Sequence, residues 1–115
     1  MIYTATFWAK TDLKKFSIAL TQPNNVSMPT IQILTPPRPI FRALKDDKMS
    51  WEEYCDHYAA MLNYNKQKII QIVSEKYDKF GSVVLCCWEK DAAKCHRSLV
   101  GAWLTENGIT TEELK

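Results

Sequence analysis

Cysteine, histidine, arginine, glutamate and lysine crowd into one stretch of the chain, Cys87-Trp88-Glu89-Lys90-Asp91-Ala92-Ala93-Lys94-Cys95-His96-Arg97-Ser98. Each residue type has a chemical use there. Arg97 carries a rigid fork of donors that matches a phosphate or carboxylate in bidentate fashion. His96 titrates near neutral pH, so it can donate to an anion or move a proton. Cys95, next to two cations and near a helix start, has its thiolate favoured and is either a nucleophile or a structural thiol. Glu89 either acts as a base or orients Arg97. Cys95, His96 and Glu89 are therefore the candidate catalytic residues, and Arg97, Cys87, Lys90 and Ser98 the candidate ligand contacts. The chemistry that suits this set is binding or processing of a phosphate-bearing ligand: a nucleotide, a nucleic acid or another phosphorylated small molecule.

Plainer readings of the same residues stand beside this one. Arg97 and Glu89 can form an ion pair whose only role is structural. Lys90, Asp91 and Lys94 fit a solvated loop. Cys55 and Cys86 read as small buried hydrophobes, and His57 beside Asp56 carries no functional signal. A cysteine phosphatase loop wants an arginine where this chain has Gly101, so that signature fails. Structural zinc usually shows paired short spacings. Cys87, Cys95 and His96 are irregularly spaced, so the zinc signal is weak; no metal or cofactor is assigned, and a small zinc domain with Cys95 as a ligand stands as a third reading.

The elements needed to position this stretch are legible on either side of it. Ser82-Val83-Val84-Leu85-Cys86-Cys87 is almost wholly apolar, the pattern of a strand covered on both faces. Beyond the stretch, Leu99, Val100, Trp103 and Leu104 mark a last helix that ends at Asn107-Gly108, with Ile109 placed for a contact past the cap. The candidate site thus falls at a strand-to-helix turn. In open α/β sheets that is where ligands bind, because helix N-termini present unpaired N–H groups to anions.

Upstream, Ile2 to Trp8 and Phe16 to Leu20 read as strands, and Gln22-Pro23-Asn24-Asn25 as a turn. Thr30 to Leu34 is a short strand or an extended loop. Thr35-Pro36-Pro37-Arg38-Pro39 cannot be helix interior, and Pro39 to Asp46 reads as a short helix opening on its proline. Ser50-Trp51-Glu52-Glu53 has capping-box spacing. After it, Trp51, Tyr54, Cys55, Tyr58, Met61 and Leu62 recur at helical spacing as a core stripe rather than a platform for bases. Asn65 reads as a second cap, and Ile69, Ile72, Val73 and Phe80 carry the apolar face to Gly81. The pattern predicts a compact three-layer α/β fold, a Rossmann-like and largely parallel sheet with flanking helices.

At 115 residues the chain fits one domain, 1–115, with 46% hydrophobic and 24% charged residues. A net charge of +2 selects neither a nucleic-acid footprint nor a membrane surface. The N-terminal residues lack the pattern of a signal peptide, and no stretch approaches the roughly 20 apolar residues of a membrane span. A cytoplasmic location is therefore expected, and with it four free thiols, Cys55, Cys86, Cys87 and Cys95.

Leu85-Cys86-Cys87-Trp88-Glu89-Lys90 followed by Cys95-His96-Arg97-Ser98-Leu99 resembles the signature of the family called domain of unknown function 488. Ser17-Ile18-Ala19 resembles its second strand, Leu34-Thr35-Pro36-Pro37 its proline-bearing loop, and Ser50-Trp51-Glu52-Glu53-Tyr54 with Tyr58 the start of its central helix. The resemblance implies the fold and the site, in an uncharacterised bacterial or phage protein, more than it implies a reaction. One departure stands out: the family often has an arginine where this chain has Leu20, so an anion would lose that contact or receive it from elsewhere, Arg38 and Arg42 being the candidates. The competing reading is a non-catalytic bacterial or phage interaction factor. In it the Cys-His-Arg segment is structural, and the Pro36-Pro37-Arg38-Pro39 loop meets a protein partner.

Overall fold

A computed structural model describes residues 1–88 and 95–114. The chain runs β1 (Ile2–Thr6), β2 (Lys14–Ser17), a short 3-10 turn (Gln32–Leu34), α1 (Arg38–Lys45), α2 (Trp51–Tyr64), α3 (Lys66–Phe80), β3 (Val83–Cys87), α4 (His96–Glu106) and β4 (Thr111–Glu113). The strands form one sheet in the order β2-β3-β1-β4, and every pairing is parallel. The expected α/β architecture is therefore present, a four-stranded parallel sheet flanked by four helices among the described residues.

The apolar run at 83–87 is the strand at the centre of this arrangement. All five residues of β3 are buried, which requires cover on both faces. Its register places Thr6 opposite Cys87 on one side and Ser17 opposite Cys86 on the other. The carboxyl ends of β1, β2 and β3 consequently finish at one edge, and the site is built there.

Several local readings shift. β2 lies earlier than the apolar run Phe16–Leu20 suggested. Ile18 still donates to the Cys86 carbonyl (3.0 Å), but the chain then turns, with the Ser17 hydroxyl accepting from Ala19 N (3.1 Å). Thr30 makes one isolated bridge to Ser17, and the residues after it form a 3-10 turn, not a strand. α1 opens at Arg38, one residue before the expected proline, with Pro39 in the first turn where a missing N–H costs nothing. The Ser50 capping box is formed in both directions, Glu53 N to Ser50 Oγ at 3.1 Å and Ser50 N to Glu53 Oε1 at 3.2 Å. Asn65 divides α2 from α3, although its side chain donates back to the Met61 carbonyl instead of capping the helix that follows.

The end of α4 follows the expected motif. Gly108 adopts a positive φ of 90°, Ile109 N reaches the Leu104 carbonyl (2.9 Å) and Gly108 N the Thr105 carbonyl (3.1 Å), the paired bonds of a Schellman cap. The turn sends the chain directly into β4, an element the sequence reading missed. No helix among the described residues is long and apolar enough to cross a membrane.

Candidate functional site

The parallel order brings residue 87, at the end of β3, next to residue 95, at the start of α4. Cys87 and Cys95 are joined through their sulfurs, with a Cα separation of 7.5 Å. This corrects the expectation of four free thiols: the end of β3 and the start of α4 lie side by side, so two cysteines eight residues apart along the chain meet. Cys55 and Cys86 remain free. Burial pushes the Cys86 thiol up to about 11, and Cys55 is raised in the same direction, first by burial and then by Asp56 and Glu52.

His96 opens α4 and is buried. Its Nε2 lies 2.7 Å from the Ile18 carbonyl at the end of β2. A carbonyl only accepts, so that nitrogen carries the proton and the ring's tautomer is set. The ring also packs against Tyr58 at 5.8 Å between centroids. Tyr58 is fully buried and donates to the Leu34 carbonyl, and burial raises its pKa well above the ordinary phenol value. The Tyr54–Tyr58 stripe of α2 is thus core, as its spacing suggested.

Arg97 points elsewhere, because successive residues on a helix diverge by about 100°. It is wholly buried, and its Nε and Nη2 donate to both oxygens of Glu113 at 3.0–3.1 Å. Glu113 also accepts from Thr4 Oγ1 at 2.6 Å. Arg97 Nη1 lies 3.5 Å from Cys87 Sγ. The fork expected to meet an anion is therefore engaged by a carboxylate of β4. Ser98 Oγ donates to the Cys95 carbonyl at 2.8 Å, inside the first turn of α4. Arg97 and Ser98 lie along a second cavity, with Gly101, Thr111 and Glu113. Glu89 and Lys90 lie outside the described residues.

A cavity of about 780 Å³ opens beside His96, at the carboxyl ends of β2 and β3. Its walls are Ala19, Leu20 and Thr21 from the end of β2, Trp88 from the end of β3, His96, and a face of α1. That face carries Arg38, Arg42 and Lys45, which the i, i+4, i+7 spacing of a helix places in one row. Lys45 Nζ sits over the Phe41 ring at 5.4 Å. Among the described residues neither Arg38 nor Arg42 is paired with a carboxylate. Trp88 is held from three sides: Nε1 donates to the Thr21 carbonyl (2.9 Å) and Thr21 Oγ1 (3.2 Å), and Phe7 and Trp8 meet its ring edge-on at 5.6 and 6.1 Å. It remains 38% exposed, enough to offer surface to a ligand.

The structure thus divides the sequence-derived set. It brings Cys87, Cys95 and His96 together, places Arg97 against Cys87 but turns it toward β4, and gives His96 a cavity with partners from α1. Arg38 and Arg42, the candidates to compensate for Leu20, line the same cavity as Leu20 itself. Trp88, Phe41 and Lys45 were missed as site residues. The three-cation spacing of α1 was a usable signal, whereas nothing in the local sequence shows that α1 faces the end of β2.

Fold and site together define a small parallel α/β protein with a cationic, aromatic-walled cleft at the carboxyl edge of its sheet. Residues 10–108 match the family described as the active DUF488-N3 subclade, DUF488-N3a, and the chain belongs to the DUF488 family. The Cys95-His96-Arg97 signature that suggested this family is the start of α4. No curated protein and no solved structure matches the chain significantly.

Proposed function

We propose that the cleft between α1 and the ends of β2 and β3 binds a phosphate-bearing ligand, a nucleotide or a nucleotide unit of a nucleic acid. The observation that carries this reading is the row of Arg38, Arg42 and Lys45 facing Trp88 and His96 across one cavity. Its volume of about 780 Å³ lies within the range of about 300–1,000 Å³ usual for small-molecule sites. Guanidinium groups pair with phosphate oxygens in bidentate fashion, and the exposed Trp88 ring offers a surface on which a base stacks.

In this reading Arg38 and Arg42 hold the phosphate, in place of the arginine often found at the position of Leu20. His96, its Nε2–H fixed on Ile18, stands at the inner end of the cleft, where it donates to the ligand or exchanges a proton with it. Arg97 acts as a positioning residue that ties the start of α4 to β4. The description of the matched subclade as active supports a catalytic cleft over a purely structural one. A nucleophilic Cys95 requires the bond to Cys87 to be reduced first. For the competing interaction-factor reading, Pro36 is buried while Arg38 and Pro39, at the start of α1, stay exposed.

Thermal-shift and calorimetric titration with inorganic phosphate, mononucleotides, dinucleotides and short oligonucleotides tests the proposal. Ligand at about 100 times its dissociation constant stabilises by about 2.7 kcal/mol. The expected result is a shift with at least one of these ligands that disappears in Arg38→Ala/Arg42→Ala, whose two exposed substitutions leave the fold intact. No shift with any of them, or an unchanged shift in the double variant, overturns the proposal.

A further inference from the structure

From Cys87, Cys95 and His96 we infer a second site, one for a borderline-soft divalent metal ion, zinc being the best match, filled when the two cysteines are reduced. The two sulfurs and a ring nitrogen of His96 all lie within 4.8 Å of one another, and all three residues are buried. Tetrahedral zinc takes thiolate sulfur at about 2.3 Å and imidazole nitrogen at about 2.0–2.1 Å, so ligand atoms around it stand roughly 3.3–3.8 Å apart. Reduction frees the two sulfurs to part to that spacing, and the ring nitrogen, within 4.8 Å of them, closes to it.

Three further features point to a metal. The Cα atoms of Cys87 and Cys95 are 7.5 Å apart, beyond the separation of about 4.4–6.8 Å at which disulfides ordinarily form. An ion inserted between the sulfurs suits the wider spacing. His96 donates Nε2–H to the Ile18 carbonyl, which fixes the orientation of the ring beside both sulfurs. A backbone carbonyl is a usual partner for the non-ligating nitrogen of a metal-bound histidine. Arg97 Nη1, 3.5 Å from Cys87 Sγ, supplies the outer N–H donor that stabilises a coordinated thiolate. The donor set excludes magnesium and calcium, which take oxygen ligands.

Loading follows a balanced sequence. Two thiols of a small reductant give up two electrons and two protons and are joined as their own disulfide, while the Cys87–Cys95 bond breaks to two thiols. The divalent ion then displaces the two thiol protons, leaving two thiolates and a neutral imidazole around it. Three ligands among the described residues leave a fourth position for water or a ligand oxygen, the open arrangement of catalytic zinc sites. Because His96 also lines the cationic cleft, that position lies beside the anion's place, although the metal site does not depend on the phosphate proposal.

Cobalt(II), added to protein that has been reduced and freed of reductant without oxygen, is the probe. We expect one cobalt per chain, a thiolate-to-cobalt charge-transfer absorption, and its loss when zinc is added. The absorption should be absent in the reoxidised wild-type protein and in Cys95→Ser, and unchanged in Arg38→Ala/Arg42→Ala. A reduced wild-type chain that is folded by circular dichroism yet shows no such absorption overturns the site. So does an absorption of equal strength in the reoxidised protein, a comparison that holds even where Cys95→Ser fails to fold. Reduced wild-type protein that binds cobalt but none of the nucleotides would count against the cleft alone.

Discussion

Removing the Glu113 carboxylate should destabilise this protein far more than the position of that residue, near the end of a three-residue edge strand, would suggest. Glu113 receives Nε and Nη2 of Arg97 at 3.0–3.1 Å and Thr4 Oγ1 at 2.6 Å. Arg97 is fully buried while the Glu113 side chain is 34% exposed. Breaking a buried pair by deleting one partner costs about 3–5 kcal/mol. Water reaching the vacated side from the exposed face screens part of that, so Glu113→Ala is expected at the lower end, about 3 kcal/mol. At roughly 4 °C per kcal/mol for a chain of this length, the melting temperature should fall by about 12 °C. The neighbouring exposed Glu112→Ala should stay within about 0.5 kcal/mol of wild type. Calorimetric melting and urea titration of both variants, with Arg97→Met and the Arg97→Met/Glu113→Ala double variant, give a coupling energy. The double variant should lose less than the sum of the singles, because it removes the charge together with its partner. If Glu113→Ala melts within about 2 °C of wild type, Arg97 is not held by β4 and its assignment as a positioning residue fails.

Other outcomes follow from the packing. Gly101→Ala places a Cβ 3.1 Å from Thr111 Oγ1, a hydroxyl already tied to the Gly101 carbonyl (2.7 Å) and to Thr105 Oγ1 (3.0 Å). The gain in helix propensity, up to about 1 kcal/mol, should therefore be outweighed, and a urea midpoint above wild type would refute this. Tyr58→Phe leaves the buried Leu34 carbonyl without its donor and should cost about 1–3 kcal/mol in urea denaturation with little change in nucleotide binding. The Cys86 thiol sits near 11 in the folded chain against 9.0 for an unburied one, so the folded state holds its proton where the unfolded state releases it. Stability should therefore fall as pH rises from about 9 to 11. Tyr58 adds the same sign at higher pH. Urea midpoints measured across that window should decline less steeply in Cys86→Ala, and identical slopes would remove Cys86 as a cause.

Much of this protein is determined by local sequence alone. The apolar run 83–87 requires a doubly covered strand, Ser50 and Glu53 require a helix start, and Asn107-Gly108-Ile109 requires a helix end, because each depends on neighbours within a few residues. The Cys-His-Arg segment likewise declares a strand-to-helix turn. What the linear chain could not show is which groups meet across it. β4 is three residues long, with only Thr111 half-buried among exposed neighbours, so no periodicity announces it, yet it supplies the carboxylate that engages Arg97. The pairing of Cys87 with Cys95, and the cleft shared by His96, Trp88, Arg38 and Arg42, depend on the parallel order β2-β3-β1-β4. That order is set by how the helices cover the sheet, a property of the whole chain. Side-chain types therefore declared the chemistry available, and only the tertiary packing decided that Arg97 faces Glu113 while the cations of α1 face the cleft.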